Sequence, residues 1–531
     1  MSQKPENLSR RSILRMGLTA GAAWPLSLYA QHHHGGSATA TAEGKAPASV
    51  LYRNQDYAGS RTLAAENALP TGQPLPALPR LQNTSGKAGL FRAQLTAQPT
   101  QLQLLADHPT TAWCYNGSTP GPLVEVKEGD TVEIGFHNRL EFLSTIHWHG
   151  IATPPEQDGN PPDVVLPGAS RTYRYTLPKG SAGTYWYHPH PHEQTSEQVY
   201  RGLAGSFIVR AADDPLAHLP EQHLFITDLR LADDGNIPPN ARMDWNFNGR
   251  YGQFVLVNGA LRPHIRVDGT QRWRIWNACN ARYLRLTLGG QPFTLVGTDG
   301  GLLEKPVHGL TEILLTPAER VEIVVSAPAT GGHHATLLAE SYNSMGEIRS
   351  RTASSRVLAS VEFAAKPVTR PVPETLRKIE RLENPTAFHT VIFGEQTDIE
   401  VARASAINST YTPMPGRAYV LNGKSYDMDR IDVVVKRGAV EQWDIINLSN
   451  MDMDHPFHIH GTQFQVVERV FNGRVTKEPF LAWRDMVNVR AGETVRIRMV
   501  QEFEGLRMFH CHILEHEDLG MMGNLMVLAP S

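Results

Sequence analysis

The chain has 531 residues, of which 41% are hydrophobic and 19% are charged, and its formal net charge at pH 7 is −3. A chain of this length buries several cores rather than one, and its near-neutral charge gives no electrostatic reason to expect a nucleic-acid or membrane partner. Only three cysteines are present, Cys114, Cys279 and Cys511, so a disulfide framework is excluded as the basis of stability. We interpret Cys114 and Cys279 as small buried residues.

The N-terminal residues 1–30 are predicted to be an export signal. They contain the twin-arginine sequence SRRSIL at Ser9–Leu14, followed by a weakly apolar stretch at Met16–Tyr29. Such a signal directs a protein to the periplasm, and the apolar stretch is too short to span a bilayer. Residues 31–47, which include His32–His34, have the composition of a disordered leader.

The body of the chain is predicted to be all-β. Hydrophobic and polar residues alternate in short runs separated by Gly, Pro and Asn, which is typical of strands joined by turns. These runs are Val124–Val126, Thr131–Ile134, Arg320–Val324 and Thr494–Arg498. No long amphipathic helix is indicated.

The sequence also repeats itself. A strand, a glycine turn, a second strand and a closing asparagine occur as VKEGDTVEIGFHN ending at Asn138, VDGTQRWRIWN ending at Asn277, and VKRGAVEQWDIIN ending at Asn447. Three copies predict three consecutive domains, each a β-sandwich of two sheets. The predicted boundaries are 48–212, 213–365 and 386–531 for the domains, and 366–385 for a linker.

The three copies differ in the histidines that follow the asparagine. The first and third are followed by His-x-His pairs, and a second pair closes each of these two domains, whereas the middle copy has none and is interpreted as a ligand-free spacer. The pairs are His147 with His149, His188 with His190, His458 with His460, and His510 with His512. Eight histidines in matched positions predict one shared site between the first and third domains.

Strand geometry gives these pairs a chemical meaning. Residues i and i+2 of a strand face the same side, so each pair presents two imidazoles to one site while the residue between them points away. Cys511 therefore faces away from His510 and His512, and His455 has the opposite parity to His458. Together with His516 and Met521, Cys511 and His455 form a His2Cys set with a weak axial thioether, which describes a blue-copper site.

Six motifs resemble those of the multicopper oxidase family, in particular its bacterial three-domain branch of laccases and periplasmic cuprous oxidases. They cover nearly the whole exported chain and are HWHG at His147, YWYHPH at Tyr185, YRGLAGSFIV at Tyr200, TDGGLLEKPV at Thr298, HPFHIHG at His455 and HCHILEHEDLGMM at His510. The resemblance implies cupredoxin-like Greek-key sandwiches and four copper ions. The family places a His pair directly after the aromatic run, which favours His188 and His190 over His192.

The resemblance also implies which residue binds which copper. The type 1 copper takes His455, Cys511, His516 and Met521, the type 2 copper takes His147 and His458, and the type 3 pair takes His149, His188, His190, His460, His510 and His512. Electrons would pass from the type 1 copper through Cys511 to the trinuclear cluster, where dioxygen is reduced to water. Asp158 and Glu517 stand where the family keeps proton-delivering carboxylates, although a solvated loop acid is the alternative for each.

The electron donor is left open between phenols and metal ions. A methionine ligand favours easily oxidised donors, including Cu(I), Fe(II) and electron-rich phenols. Met451–Asp454 offer soft and acidic groups directly before His455, which makes a cuprous oxidase with a role in copper tolerance plausible. The alternative is that these residues are simply a loop beside the copper. Against a dedicated cuprous oxidase, Ala402–Arg417 contains only Met414. The protein is expected to be a monomer.

Three alternatives belong to other classes of protein. A cell-envelope relative without copper would have lost the ligands, which are intact here. A copper-sequestering protein would depend on His32–His34. A copper nitrite reductase has fewer domains and no trinuclear cluster, so the four His-x-His pairs disfavour it.

Overall fold

The computed structural model describes residues 62–240, 244–245, 249–328, 331–344, 354–396, 418–449 and 452–530. The predicted export signal, the leader, Ala402–Arg417 and Met451 lie outside these residues. Contacts divide the chain into the units Met1–Ala48 and Ser49–Ser531, and every described residue belongs to the second. None of the described helices is long and apolar enough to cross a membrane.

The regular secondary structure of the described residues is almost entirely β-strand, which confirms the all-β prediction. Helical segments are short, as in Thr195–Tyr200, Leu514–Asp518 and the 3-10 helix Pro155–Gln157. The strands fall into a first group (β1–β8, within Leu90–Arg210), a middle group (β9–β19, within Glu221–Val368) and a third group (β20–β30, within Ala387–Leu528). Each described sheet draws its strands from one group only.

The first group is a sandwich of two four-stranded sheets, with the orders β2-β1-β4-β6 and β3-β8-β7-β5. Alternating strands such as Thr131–Asn138 bury every second residue, because successive side chains point to opposite faces of a sheet. The strands are β1 (Leu90–Leu102), β2 (Thr110–Tyr115), β3 (Gly121–Lys127), β4 (Thr131–Asn138), β5 (His147–His149), β6 (Ser170–Thr176), β7 (Gly183–His188) and β8 (Gly205–Arg210).

The third group is a sandwich of a six-stranded sheet, ordered β21-β20-β23-β28-β25-β26, and a five-stranded sheet, ordered β22-β30-β29-β24-β27. Its strands are β20 (Ala387–Gln396), β21 (Ala418–Leu421), β22 (Val433–Lys436), β23 (Glu441–Asn447), β24 (His455–Ile459), β25 (Phe464–Phe471), β26 (Arg474–Lys477), β27 (Met486–Val489), β28 (Thr494–Met499), β29 (Gly505–Cys511) and β30 (Met522–Leu528).

The middle group is one hydrogen-bonded network of eleven strands. Its strands are β9 (Glu221–Leu229), β10 (Phe254–Val257), β11 (Ala260–Leu261), β12 (His264–Asn277), β13 (Leu284–Leu288), β14 (Phe293–Thr298), β15 (Gly301–Leu310), β16 (Glu312–Leu315), β17 (Arg320–Ser326), β18 (His334–Glu340) and β19 (Arg356–Val368). The last strand runs through Val368, into the stretch predicted as a linker.

Strand β12 joins the two halves of the middle network, because its first half pairs with β19 and its second half with β9 and β17. The register shifts between Val267 and Gly269, where a Cβ on Gly269 would lie 1.9 Å from the carbonyl oxygen of Val368. The sequence repeat predicts two strands and a turn here. The middle copy is shorter than the other two, and it forms one continuous strand instead.

The closing asparagine has the same structural role in all three copies. Each is buried, and its side-chain oxygen accepts a hydrogen bond from the backbone N–H two residues later, at 3.0, 3.2 and 2.9 Å for Asn138, Asn277 and Asn447. The amide nitrogen donates to at least two backbone carbonyls each time. The asparagine therefore anchors the segment in which the outer groups carry their histidines.

Candidate metal centre

The antiparallel register brings the His-x-His pairs together within each outer group. His147 on β5 lies opposite His188 on β7, and His458 on β24 lies opposite His510 on β29. Opposite residues of an antiparallel pair point to the same face with their Cβ atoms about 5 Å apart. Two distant His-x-His sequences therefore form one four-histidine edge in each group.

The two edges face each other between the first and third groups. The ring of His147 stacks on His460 at 3.8 Å between centroids, and His149 stacks on His458 at 3.8 Å. All eight predicted histidines have no solvent exposure. The predicted shared site is thus a single buried cluster, which we call the histidine cluster.

Ring nitrogens within the histidine cluster fall into three close sets, whose nitrogens lie within 4.8 Å of one another. Trp186 packs against one of these sets, with its ring 4.3 Å from that of His188. The sets are His149 with His188 and His512, His190 with His460 and His510, and His147 with His149 and His458.

Backbone carbonyls fix the orientation of several rings. Nδ1 of His147 lies 3.0 Å from the carbonyl oxygen of Asp158, and Nδ1 of His458 lies 2.8 Å from that of Asp485. Nδ1 of His188 and of His510 each lie 2.9 Å from a neighbouring carbonyl oxygen. A carbonyl can only accept, so these Nδ1 atoms carry the proton and the Nε2 lone pairs are left for another partner.

Several buried ring nitrogens of the histidine cluster have no hydrogen-bond partner, and they are the atoms that could bind a metal ion. Nε2 of His147, Nε2 of His458 and both nitrogens of His512 are buried without a hydrogen-bond partner, and Nε2 of His510 lies 3.2 Å from Nε2 of both His190 and His460. Buried polar atoms without partners are costly. Burial lowers the pKa of the His188 and His458 imidazoles well below the ordinary value, so they are neutral donors. Such a donor set fits copper.

A second set of donors surrounds Cys511. Its Sγ lies 3.5 Å from Nδ1 of His455 and 3.9 Å from Nδ1 of His516. Met521 is buried beside them, and its backbone accepts from the N–H of Cys511 at 3.1 Å and donates to the carbonyl of His516 at 2.9 Å. Burial raises the pKa of the Cys511 thiol well above its ordinary value, so a bound cation is needed to stabilise the thiolate.

Asp158 and Glu517 lie on different sides of the histidine cluster. The Asp158 side chain is fully buried, 3.2 Å from Nδ1 of His147, and accepts from Arg507 at 3.1 Å. The Glu517 carboxylate lies 3.3 Å from Nε2 of His190 and 3.1 Å from Nδ1 of His510. Neither acid is a solvated loop residue, which was the alternative.

Other residues near the predicted sites have different surroundings. His192 belongs to none of the close sets, and its Nε2 lies 3.7 Å from Glu193. Met453 and Asp454 are buried, and Asp454 accepts from the hydroxyl of Tyr342 at 2.6 Å. These two side chains, which were interpreted as soft and acidic groups near the electron entry point, are therefore not exposed to a donor in solvent.

Two carboxylates that the motifs do not indicate contact predicted ligands. Oδ1 of Asp485 accepts from Nε2 of His149 at 3.0 Å, and Oε1 of Glu395 lies 3.3 Å from Nε2 of His455. Each is a single acidic residue outside the repeated motifs, so the spacing of residues in the sequence does not mark it as a functional residue. Only their positions in the folded chain bring them to the histidines.

Comparisons with known proteins agree with this geometry. Two family models described as "Multicopper oxidase" match residues 96–214 and 396–531. A solved structure of a multicopper oxidase from Campylobacter jejuni, named as a metallo-oxidase, is 43% identical, with a TM-score of 0.81 over 88% of this chain and 98% of that one. The multicopper oxidase mco of Staphylococcus aureus is 32% identical over 82% of this chain and 88% of its own length.

A third relative is a laccase of Bacillus subtilis, which is 28% identical over 80% of this chain and 91% of its own length. The chain belongs to the multicopper oxidase family, the copper-dependent oxidoreductases that couple one-electron oxidation of a substrate to the reduction of dioxygen to water.

Proposed function

We propose that this protein is a four-copper oxidase whose Cys511 site accepts electrons and whose histidine cluster reduces dioxygen. The observation that carries the proposal is that the two donor sets meet at His510, Cys511 and His512, three consecutive residues. The proposed type 1 ligands are His455, Cys511, His516 and Met521, the type 2 ligands are His147 and His458, and the type 3 ligands are His149, His188, His190, His460, His510 and His512.

Copper bound at these sites would supply one-electron redox chemistry at Cys511 and dioxygen reduction at the histidine cluster. The protein supplies the connection between them. Cys511 is covalently joined to His510 and His512, which lie in two different close sets of the cluster, so the backbone and side chains of three residues form the electron path. Burial of both donor sets excludes water from this path.

We further propose that Asp158 and Glu517 relay protons to the cluster for dioxygen reduction. Burial by itself raises the pKa of the Glu517 carboxyl, but His190 and His510 beside it keep the pKa below its usual range. The pKa of Asp158 is likewise lowered, because His147 and Arg507 outweigh the effect of burial. Each acid is thus a carboxylate that can accept a proton within reach of the cluster.

Glu395 supports a proposal about the electron donor. Its Oε1 lies 3.3 Å from Nε2 of His455, while Nδ1 of the same ring faces Cys511. The same oxygen accepts from the hydroxyl of Ser449 at 2.7 Å. A carboxylate at this position attracts a metal cation and can also accept the proton that a phenol releases. We favour a metal ion, with Cu(I) first, because the 43% identical Campylobacter jejuni protein is named as a metallo-oxidase. A phenol is the second candidate, favoured by the likeness to a laccase.

We propose that the protein works in the periplasm, exported by the twin-arginine signal in residues 1–30, and that Cu(I) oxidation there serves copper tolerance. A test of location is the distribution of the protein between periplasm and cytoplasm when Arg10 and Arg11 are both replaced by Lys. The protein should then remain in the cytoplasm. Unchanged export would contradict the proposed route.

The central experiment measures copper content and donor preference together. The purified protein should bind four coppers per chain and should consume dioxygen with Cu(I) faster than with a phenol. Phenol oxidation that appears only after Cu(II) is added would also support a metal oxidase, whereas phenol oxidation that is unaffected by Cu(II) and faster than Cu(I) oxidation would overturn the donor proposal.

A variant lacking residues 31–47 separates catalysis from copper sequestration. An oxidase keeps its rate of oxygen uptake without the leader, because the proposed ligands all lie beyond residue 146. Loss of copper binding and of oxygen uptake on deletion would favour the sequestering protein. Glu395→Gln tests the donor proposal separately. This variant should oxidise Cu(I) more slowly than the wild type while its copper content is unchanged.

A further inference from the structure

Arg320, at the start of β17 in the middle group, contacts all three strand groups. It has no solvent exposure. Its Nε donates to the carbonyl oxygen of Thr184 in the first group at 2.9 Å. Its two terminal nitrogens donate in parallel to the carboxylate of Asp485 in the third group, at 2.6 and 2.5 Å. A planar guanidinium is suited to such two-point contact with a carboxylate.

Asp485 in turn contacts histidines from both halves of the cluster. Its side-chain Oδ1 accepts from Nε2 of His149 in the first group at 3.0 Å, while its backbone carbonyl accepts from Nδ1 of His458 in the third group at 2.8 Å. The proton on Nε2 of His149 leaves its Nδ1 to face Nε2 of His188, 3.5 Å away. One residue therefore sets which nitrogen of two proposed ligands faces the cluster.

Asp299 and Gly150 complete the surroundings of the Arg320–Asp485 pair. Asp299 accepts from the backbone N–H of Arg320 at 2.8 Å and from that of Met486 at 3.2 Å. Gly150 has a φ of +84°, and a Cβ on it would lie 2.1 Å from Oδ2 of Asp485 and 2.8 Å from a terminal nitrogen of Arg320. Any larger residue in place of Gly150 would therefore clash with the side chains of Arg320 and Asp485.

We propose that Arg320 is a positioning residue of the histidine cluster: it fixes Asp485, whose carboxylate orients His149 and whose backbone carbonyl orients His458 for metal binding. The middle group supplies no proposed ligand, yet through Arg320 it sets the geometry of a site built by the other two groups. This inference rests on the ligand assignment proposed above and goes beyond it, because it gives the middle group a role in the site.

The test compares Arg320→Lys with Arg274→Lys. Lysine keeps the positive charge of Arg320 but cannot donate two parallel hydrogen bonds. Arg274 is a matched control, because it is also a buried arginine of the middle group that contacts the first group, with Thr184 Oγ1 at 2.6 Å and Glu322 at 2.5 Å as partners. Copper-loaded proteins are dialysed against a graded series of chelator concentrations. Bound copper, the type 2 electron paramagnetic resonance signal and the visible thiolate absorption are then measured.

Arg320→Lys should weaken retention of the cluster coppers by about 10- to 100-fold, the usual effect of losing a residue that orients a metal ligand. Its thiolate absorption should remain, because the Cys511 ligands do not contact Arg320. Arg274→Lys should retain both copper sites as the wild type does. Equal retention in Arg320→Lys and the wild type would overturn the inference, and equal losses in the two variants would reduce Arg320 to a structural role.

A wild-type protein that never binds the cluster coppers would refute the ligand assignment and not the role of Arg320 in particular. Should Arg320→Lys fail to fold, the double variant Arg320→Gln, Asp485→Asn removes both buried charges together and avoids an unpaired one. It should show the same selective loss of cluster copper. Wild-type retention in the folded double variant would overturn the proposal.

Discussion

The Cys511 site and the histidine cluster are assembled in opposite ways. The proposed ligands of the Cys511 site all belong to the third group, on β24, β29 and the segment after β29. The histidine cluster takes half of its ligands from the first group and half from the third, and its Asp485 is held by Arg320 of the middle group. The ligands of the Cys511 site thus come from one sandwich, whereas the arrangement of the cluster depends on all three groups packing together.

The two sites also differ in how burial acts on their donors. Burial raises the pKa of the Cys511 thiol and therefore opposes the thiolate that copper binding requires. At the cluster, burial lowers the pKa of imidazoles such as His149 and so favours the neutral form that binds a metal. We therefore expect the histidines of the copper-free cluster to be neutral before metal binds. Cys511, in contrast, should lose its proton when copper binds.

The largest expected effect comes from Cys511→Ser. Serine cannot supply a thiolate, so the visible thiolate-to-copper absorption should disappear and oxygen uptake should fall to background, because electrons no longer reach the cluster. The type 2 copper signal should still be present in the electron paramagnetic resonance spectrum, and total copper should fall only by the type 1 ion. A Cys511→Ser protein that retains the visible band would contradict the assignment of the electron-accepting site.

His458→Ala tests the other side of the comparison. Removing one proposed type 2 ligand should stop dioxygen reduction while the visible band of the Cys511 site remains, since β24 still holds His455 beside Cys511. The measurements are the visible spectrum and steady-state oxygen uptake of the same preparation. Simultaneous loss of colour and activity would show that the two sites are not independent.

Glu517→Gln probes proton delivery with a smaller effect. A positioned acid contributes about 10²–10⁴-fold to such a step, so oxygen uptake should fall by that range while both copper spectra are kept. Glu515→Gln is the matched control on the same helix, because Glu515 accepts from Asn280 at 3.0 Å instead of contacting the cluster. A drop of equal size in both variants would indicate a general effect on the helix.

The smallest expected effects come from the repeated asparagines. Asn277→Ala and Asn447→Ala each leave buried backbone groups unsatisfied, which should lower the free energy of unfolding by about 1–3 kcal/mol. Only Asn447→Ala should also shift the visible spectrum, because Asn447 anchors the carbonyl of Met453 two residues before His455. Denaturant unfolding and absorption spectra measure both effects. An identical spectral shift in Asn277→Ala would contradict the prediction that only Asn447 influences the Cys511 site.

Sequence reasoning predicted a middle group without ligands and did not predict its contacts with the site. No residue of this group appears in the close sets of donors among the described residues. Nevertheless Arg320 and Asp299 meet Asp485 at the edge of the cluster. A group without ligands can still control a metal site, because a buried arginine reaches a carboxylate of a neighbouring group.

The sequence by itself determined the all-β class, the threefold repeat and the grouping of the histidines, because strand parity and the spacing of His-x-His pairs are local properties. It also separated Cys511 from His510 and His512, since successive residues of a strand face opposite sides. Only the tertiary structure decided the contacts of Arg320, Asp485 and Glu395. Each is a single charged residue without a periodic signature. Asp485 and Glu395 reach a histidine, and Arg320 reaches Asp485, only because packing brings distant strands together.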